Sequence, residues 1–115
     1  MTTRKASPLR MTETQLLNAV IDAAHKLGWM VCHFRPARTE RGWRTAIQGD
    51  KGWPDLVLCG HGRFLVVEVK SETGKLSVEQ EMWRCALITA GIESYIWRPR
   101  HWLDGTIVRI LEERD

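Results

Sequence analysis

Asp55-Leu56-Val57-Leu58-Cys59-Gly60-His61-Gly62-Arg63-Phe64-Leu65-Val66-Val67-Glu68-Val69-Lys70 is the stretch on which the reading of this chain turns. Two apolar, β-branched runs, 55–59 and 64–70, flank a Gly-His-Gly-Arg tetrapeptide whose glycines suit a tight turn. The segment is expected to fold back as a hairpin. Side chains alternate between faces along a strand, so Glu68 and Lys70 share a face with Phe64 and Val66, while Leu65, Val67 and Val69 point the other way. Asp55 follows Pro54 at the start of the first strand, and Glu68 and Lys70 close the second. A hairpin lays the start of one strand beside the end of its partner, so the three residues should meet at one rim of the sheet.

Glu68 and Lys70 interrupt an apolar face of a strand expected to be buried on both sides. Desolvating a carboxylate and an ammonium is expensive unless something compensates. A cation held between Asp55 and Glu68 would compensate the acids. Hard oxygen donors of this kind suit Mg²⁺ or Mn²⁺, and the carbonyl of Val69 can add another. The chemistry that fits is metal-assisted phosphodiester hydrolysis, with a polarised phosphoryl oxygen and a bound water of lowered pKa. Lys70 would position that water or stabilise developing charge. Whether it also removes a proton stays open, because burial and nearby carboxylates shift an ammonium in opposite directions. The bland alternative is an Asp cap and a surface Glu/Lys pair, since bare Pro-Asp…Glu-x-Lys matches arise by chance. Placement on apolar strands of one hairpin favours the metal reading.

Upstream, Thr12-Glu13-Thr14-Gln15 has the form of a capping box, and Leu16, Leu17, Val20, Ile21, Ala24 and Leu27 follow at helical spacing up to Gly28. A first helix is expected over about 13–27, with a strand over 29–34. Glu13 heads the buried stripe and is a candidate fourth member of the acidic set. An acid in a first helical turn is equally explained by the helix dipole. Residues 35–51 are polar and read as a long loop or a strand extension. Downstream, Ser77-Val78-Glu79-Gln80 is a second capping box, opening a helix to about Ala90 expected to bury Met82, Trp83, Ala86, Leu87 and Ala90. A fourth strand is expected over 93–97, ended by Pro99, and Ile107, Val108, Ile110 and Leu111 imply a short terminal helix. The order α-β-β-β-α-β-α specifies an α/β fold with a mixed four-stranded sheet flanked by helices.

At 115 residues the chain has room for one domain, expected over 12–115 after a flexible basic tail at 1–11. Apolar content of 43% supports a core. A net charge of +3 and a pI of about 9.0 favour an anionic partner without requiring one. Cys32, Cys59 and Cys85 are odd in number and lack Cys-x-x-Cys spacing, which argues against structural zinc. Two of them lie in apolar runs and are expected as reduced core residues, consistent with a cytoplasmic setting. The polar start of the chain is not expected to be a signal peptide, and no stretch approaches a membrane span.

Gly52-Trp53-Pro54-Asp55-Leu56, Val67-Glu68-Val69-Lys70 and Leu76-Ser77-Val78-Glu79-Gln80, in that order, resemble the stand-alone, phage-type VRR-NUC domain of the PD-(D/E)xK, restriction-endonuclease-like superfamily. The resemblance extends from about Glu13 to Leu111. It implies a restriction-endonuclease-like core and Mg²⁺- or Mn²⁺-dependent DNA cleavage. Asp55 and Glu68 correspond to metal ligands, Lys70 to the catalytic lysine, Glu13 to the acid of the first helix and Gln80 to a glutamine near the active site. From pattern alone, capping suffices as the role of Gln80. Stand-alone members look similar to archaeal Holliday junction resolvases and act as dimers on branched DNA. The resemblance therefore implies a homodimer, and the cytoplasm of the host cell if the chain is phage-encoded.

Arg35, Arg38, Arg41, Arg44 and Lys51 precede the acidic motif and can grip phosphates beside a cleavage site, or simply line a solvated loop. Lys75 stands before the second helix, whose N-terminus also suits phosphate. Of six tryptophans, Trp29, Trp83 and Trp97 are expected in the core, while Trp43, Trp53 and Trp102 are expected to anchor loops. The expected activity is structure-selective DNA endonuclease action. The rivals are a nuclease fold that grips DNA without cutting and a subunit of a larger phage or restriction complex.

Overall fold

A computed structural model of the chain describes residues 7–34 and 48–113 and, for their backbone alone, 37–39 and 42–44. Helix α1 (Glu13–Lys26) is followed by strand β1 (Met30–His33). Strands β2 (Ala37–Thr39) and β3 (Gly42–Arg44) come next, then β4 (Leu56–Gly60) and β5 (Arg63–Val69). Helix α2 (Val78–Thr89), strand β6 (Glu93–Trp97) and helices α3 (Pro99–Leu103) and α4 (Thr106–Glu112) complete the order. Both expected capping boxes are present: Thr12 and Gln15 close on each other at 2.9 and 3.1 Å, as do Ser77 and Gln80.

The sheet runs β1-β4-β5-β6. β1, β4 and β5 are antiparallel neighbours, and β6 joins β5 in parallel. A parallel partner needs a crossover, and α2 supplies it. The hairpin register pairs Leu56 with Val67 and Gly60 with Arg63. Its two-residue turn is made by His61 (φ 53°) and Gly62 (φ 74°), the positive-φ pair whose twist suits a hairpin. Gly60 ends β4 instead of bending. The His61 ring offsets its unfavourable backbone by donating from Nε2 to the Leu27 carbonyl at 2.7 Å and meeting Trp29 edge-on. The stretch 35–51, expected as a loop or strand extension, contains a separate antiparallel ribbon, β2 with β3. A 3-10 turn at Pro8–Arg10 lies against α3, and among the described residues no helix is long and apolar enough to cross a membrane.

One sheet face carries the core. Leu56, Leu58, Leu65, Val67 and Val69 pack under Leu16, Val20 and Ala24 of α1, with Trp29, Trp97, Ile107 and Leu111 closing the sides. The opposite face carries Val57, Val66 and Glu68 and is covered only in part. Met30, Cys59 and Phe64 stand side by side across three strands and remain exposed.

Two expectations fail here. Helix α2 buries none of the residues expected inside: Trp83 and Leu87 are only half-buried, Met82 is 66% exposed, Val78 72% and Ile88 47%, and Ala86 and Ala90 are exposed. The helix is apolar on both sides, and it seats Gln80, Trp83, Arg84 and Leu87, which recur at helical spacing, toward the protein. Nor are the cysteines core residues. Cys32, Cys59 and Cys85 are all exposed, because the strand cysteines fall on the partly covered sheet face and Cys85 on the outer face of α2.

Candidate metal and catalytic site

Asp55 stands one residue before β4, and Glu68 near the end of β5 on the face away from α1. The hairpin register brings them together as expected. Their carboxyl groups are in hydrogen-bonding contact, and Asp55 Oδ2 also accepts the backbone N–H of Val69 at 2.8 Å. In extended backbone a residue's N–H and C=O project to the same side. The Val69 carbonyl therefore points toward the same rim as the N–H that Asp55 takes.

Glu68 is 5% exposed. Burial, then the bond to Asp55 and the Asp55 charge, push its carboxyl up to about 9. Glu13 adds to the rise through its charge, and Lys70 opposes it. Glu13 is thus within electrostatic reach of Glu68, although its side chain is exposed at the first position of α1. The site keeps a proton at neutral pH because two carboxylates compete for one desolvated place.

Gln80 proves to have two roles. Its Oε1 accepts the Ser77 N–H to close the capping box, while its Nε2 donates to Glu68 Oε1 at 3.1 Å. One rigid amide therefore ties the first turn of α2 to the buried acid. A capping motif announces the first contact and is silent on the second.

The first turn of α2 is also clasped by the loop before Asp55. Gly52 has φ 97°, and a Cβ there would stand 2.5 Å from the Glu79 carbonyl carbon. Glycine is required twice over at that position. Next to it, Trp53 packs edge-on against Trp83 at 5.0 Å and Phe34 at 6.2 Å, and Trp83 donates to the Asp50 carbonyl at 3.3 Å. Trp53 is thus an anchor, as is Trp102, which packs against the core from α3.

Lys51 and Lys75 are exposed on the segments that lead to Asp55 and to α2. Arg35 and Arg41 lie outside the described residues. Arg38 and Arg44 belong to β2 and β3, and their side chains, like that of Trp43, lie outside as well.

The donor set is oxygen throughout. Among the described residues no group of three or more His, Cys, Asp or Glu side chains is arranged to hold a metal ion. What converges is a pair of carboxylates with a backbone carbonyl alongside. This set fits a hard divalent cation that retains several waters, the habit of Mg²⁺. A dication there would offset the burial and the neighbouring Asp55 charge that raise the Glu68 carboxyl.

The family model of the VRR-NUC domain matches residues 11–100. No curated protein and no solved structure matches the chain.

Proposed function

The chain belongs to the VRR-NUC domain family, and from that premise, which makes it a DNA-acting protein of nuclease type, we propose that it is a Mg²⁺- or Mn²⁺-dependent DNA endonuclease of the PD-(D/E)xK type. The observation that carries the reading is the meeting of Asp55 and Glu68 at one rim of the sheet, where Glu68 is buried and Asp55 is fixed by the Val69 N–H. Asp55, Glu68 and the Val69 carbonyl would hold the ion, with Glu13 close enough to act through a water. The ion would supply Lewis-acid polarisation of a phosphoryl oxygen and a hydroxide at neutral pH. Glu68, fixed by Gln80, keeps its carboxylate aimed at the rim. Asp55, fixed by the Val69 N–H, does the same from the residue before β4. Lys70, the residue after β5, offers its ammonium to the attacking water or to the charge growing on the phosphate. Lys51 and Lys75, with Arg35, Arg38, Arg41 and Arg44, would neutralise flanking phosphates.

Structure-selective cleavage of branched DNA by a homodimer belongs to the same proposal. A two-fold assembly would set two sites on opposing strands of a four-way junction. The exposed Val78, Met82 and Ile88 give a second copy apolar surface to cover. Cytoplasmic action, in the host cell for a phage-encoded chain, is part of the reading.

The test is a substrate panel (four-way junction, flap, splayed arm, plain duplex) with Mg²⁺ or Mn²⁺, beside Asp55→Ala. The expected result is cleavage with either ion, strongest on the junction and lost in the variant. Cleavage that survives Asp55→Ala removes Asp55 from the mechanism. DNA binding without cleavage under both ions favours the non-catalytic alternative, and a mass by size exclusion that rises only with partner proteins favours the subunit alternative.

A further inference from the structure

Residues 71–75, Ser-Glu-Thr-Gly-Lys, connect the lysine of the site to the segment that caps α2. A polar run of this kind has no apolar anchor of its own to hold one conformation. It is held from across the fold. Arg98, between β6 and α3, donates from Nη1 to the carbonyls of Ser71 and Gly74 at 2.7 Å each, with Glu72 O further off at 3.4 Å. Nη1 has two hydrogens, and the two short bonds use both. Arg100 adds a second clasp, Nε to Glu72 Oε1 at 2.7 Å and backbone N–H to Oε2 at 3.1 Å. Arg98 is itself fixed, because its N–H donates to His101 Nδ1 at 2.9 Å and the next residue, Pro99, is buried. At the start of the loop, Lys70 N–H donates to Trp97 O at 3.0 Å. A Cβ on Gly74 would stand 2.8 Å from Ser71 Oγ and 3.7 Å from Lys70 Cδ, so the loop closes back on Ser71 with the lysine stem beside it.

We propose that Arg98 is a positioning residue of the site. By gathering the carbonyls of Ser71 and Gly74 it fixes the span between Lys70 and Ser77, so that Lys70 and Gln80 bear on Glu68 together. The inference rests on the nuclease reading above. Both Nη1 hydrogens are committed to backbone carbonyls, so this contact acts through the geometry of the loop. The first turn of α2 keeps its independent hold on Gly52, so losing Arg98 loosens the arrangement without unfolding the chain.

The experiment is steady-state cleavage and DNA binding for Arg98→Ala and Arg98→Lys. For Arg98→Ala, kcat should fall about 10²-fold, the penalty for a small misplacement of reacting groups, while KM for DNA stays nearly constant. Arg98→Lys should recover part of the rate, since an ammonium can donate to the same carbonyls. Added ethylguanidinium should rescue Arg98→Ala and leave Asp55→Ala inactive. A wild-type kcat in Arg98→Ala overturns the proposal. So does a loss confined to KM, which would make Arg98 a phosphate ligand. So does a loss matching the unfolded fraction without rescue, which would make it merely structural. If Arg98→Ala does not fold, Glu72→Ala removes the outer clasp alone and should lower kcat less, with KM again unchanged. A wild-type chain that cleaves nothing sinks this inference and the nuclease reading together. Cleavage that Asp55→Ala abolishes and Arg98→Ala leaves intact sinks this inference alone.

Discussion

The two ends of β5 each carry a buried charged side chain, and they treat it in opposite ways. At the start, Arg63 is 7% exposed and well supplied with partners. It grips Glu93 at 2.7 and 3.0 Å, donates to the Ile110 and Glu113 carbonyls at the end of α4, and lies 5.4 Å over the Trp29 ring. Glu93 also accepts from the Tyr95 hydroxyl at 2.9 Å, and the Arg63 bond holds its carboxyl below the usual range. At the other end, Glu68 has a second acid as its nearest charge and is pushed up to about 9. The first arrangement spends its charges on holding β5, β6 and α4 together. The second leaves a carboxylate pair short of positive charge, which is the condition for binding a cation. Within one strand, the end that is electrostatically complete is structural and the incomplete end is the candidate site.

Glu68→Gln should break that contrast most visibly. Cleavage should fall on the order of 10³-fold, measured as kcat on a junction substrate, because an anionic ligand is lost from a preorganised site. Stability should move the other way. In the metal-free fold Glu68 keeps its proton up to about pH 9, whereas the unfolded chain releases it in the ordinary carboxylate range. The folded state therefore binds more protons across that window, and stability falls as pH rises through it. The variant should lack this slope and be the more stable protein at pH 8–9 in thermal melts at a series of pH values. An unchanged slope would place the proton elsewhere.

Arg63→Ala should do the reverse. It strips charged hydrogen bonds from Glu93 and from the end of α4, for a loss of about 3 kcal/mol, trimmed by the partial exposure of Glu93. Urea unfolding should record the loss, while kcat per folded molecule stays near wild type. A strong fall in kcat at full folding would mean that the two ends of β5 are coupled. Gln80→Ala should give the smallest effect, about 10- to 100-fold in cation affinity or rate, as for partners that orient a ligand. Isothermal titration with Mn²⁺ reads it, and an unchanged affinity would leave Gln80 with capping alone.

Much of this was legible in the residues. The period-2 alternation around the turn glycines put Asp55, Glu68 and Lys70 at one rim, and the two capping boxes marked both long helices. These signals are local, and the physics behind them acts over a few residues. The failures share a different origin. Met82 and Ala86 were expected inside because α2 has apolar residues on both sides, and a two-sided pattern does not say which side meets the sheet. Cys32 and Cys59 sit in apolar strands, but one sheet face is only partly covered, and coverage is a property of the whole packing. The second contact of Gln80 needs α2 to cross over β5. The grip of Arg98 on residues 71–74 joins positions far apart in the chain and leaves no short motif.

By itself, then, the sequence determined the elements, their order, and the face on which two acids and a lysine must lie, because backbone geometry ties side-chain direction to position. Tertiary structure alone decided how far Glu68 loses water, how the Gln80 amide reaches it while still capping α2, and which arginine grips the loop beside it. Desolvation and long-range contact depend on what the folded chain brings near, and no local pattern carries that.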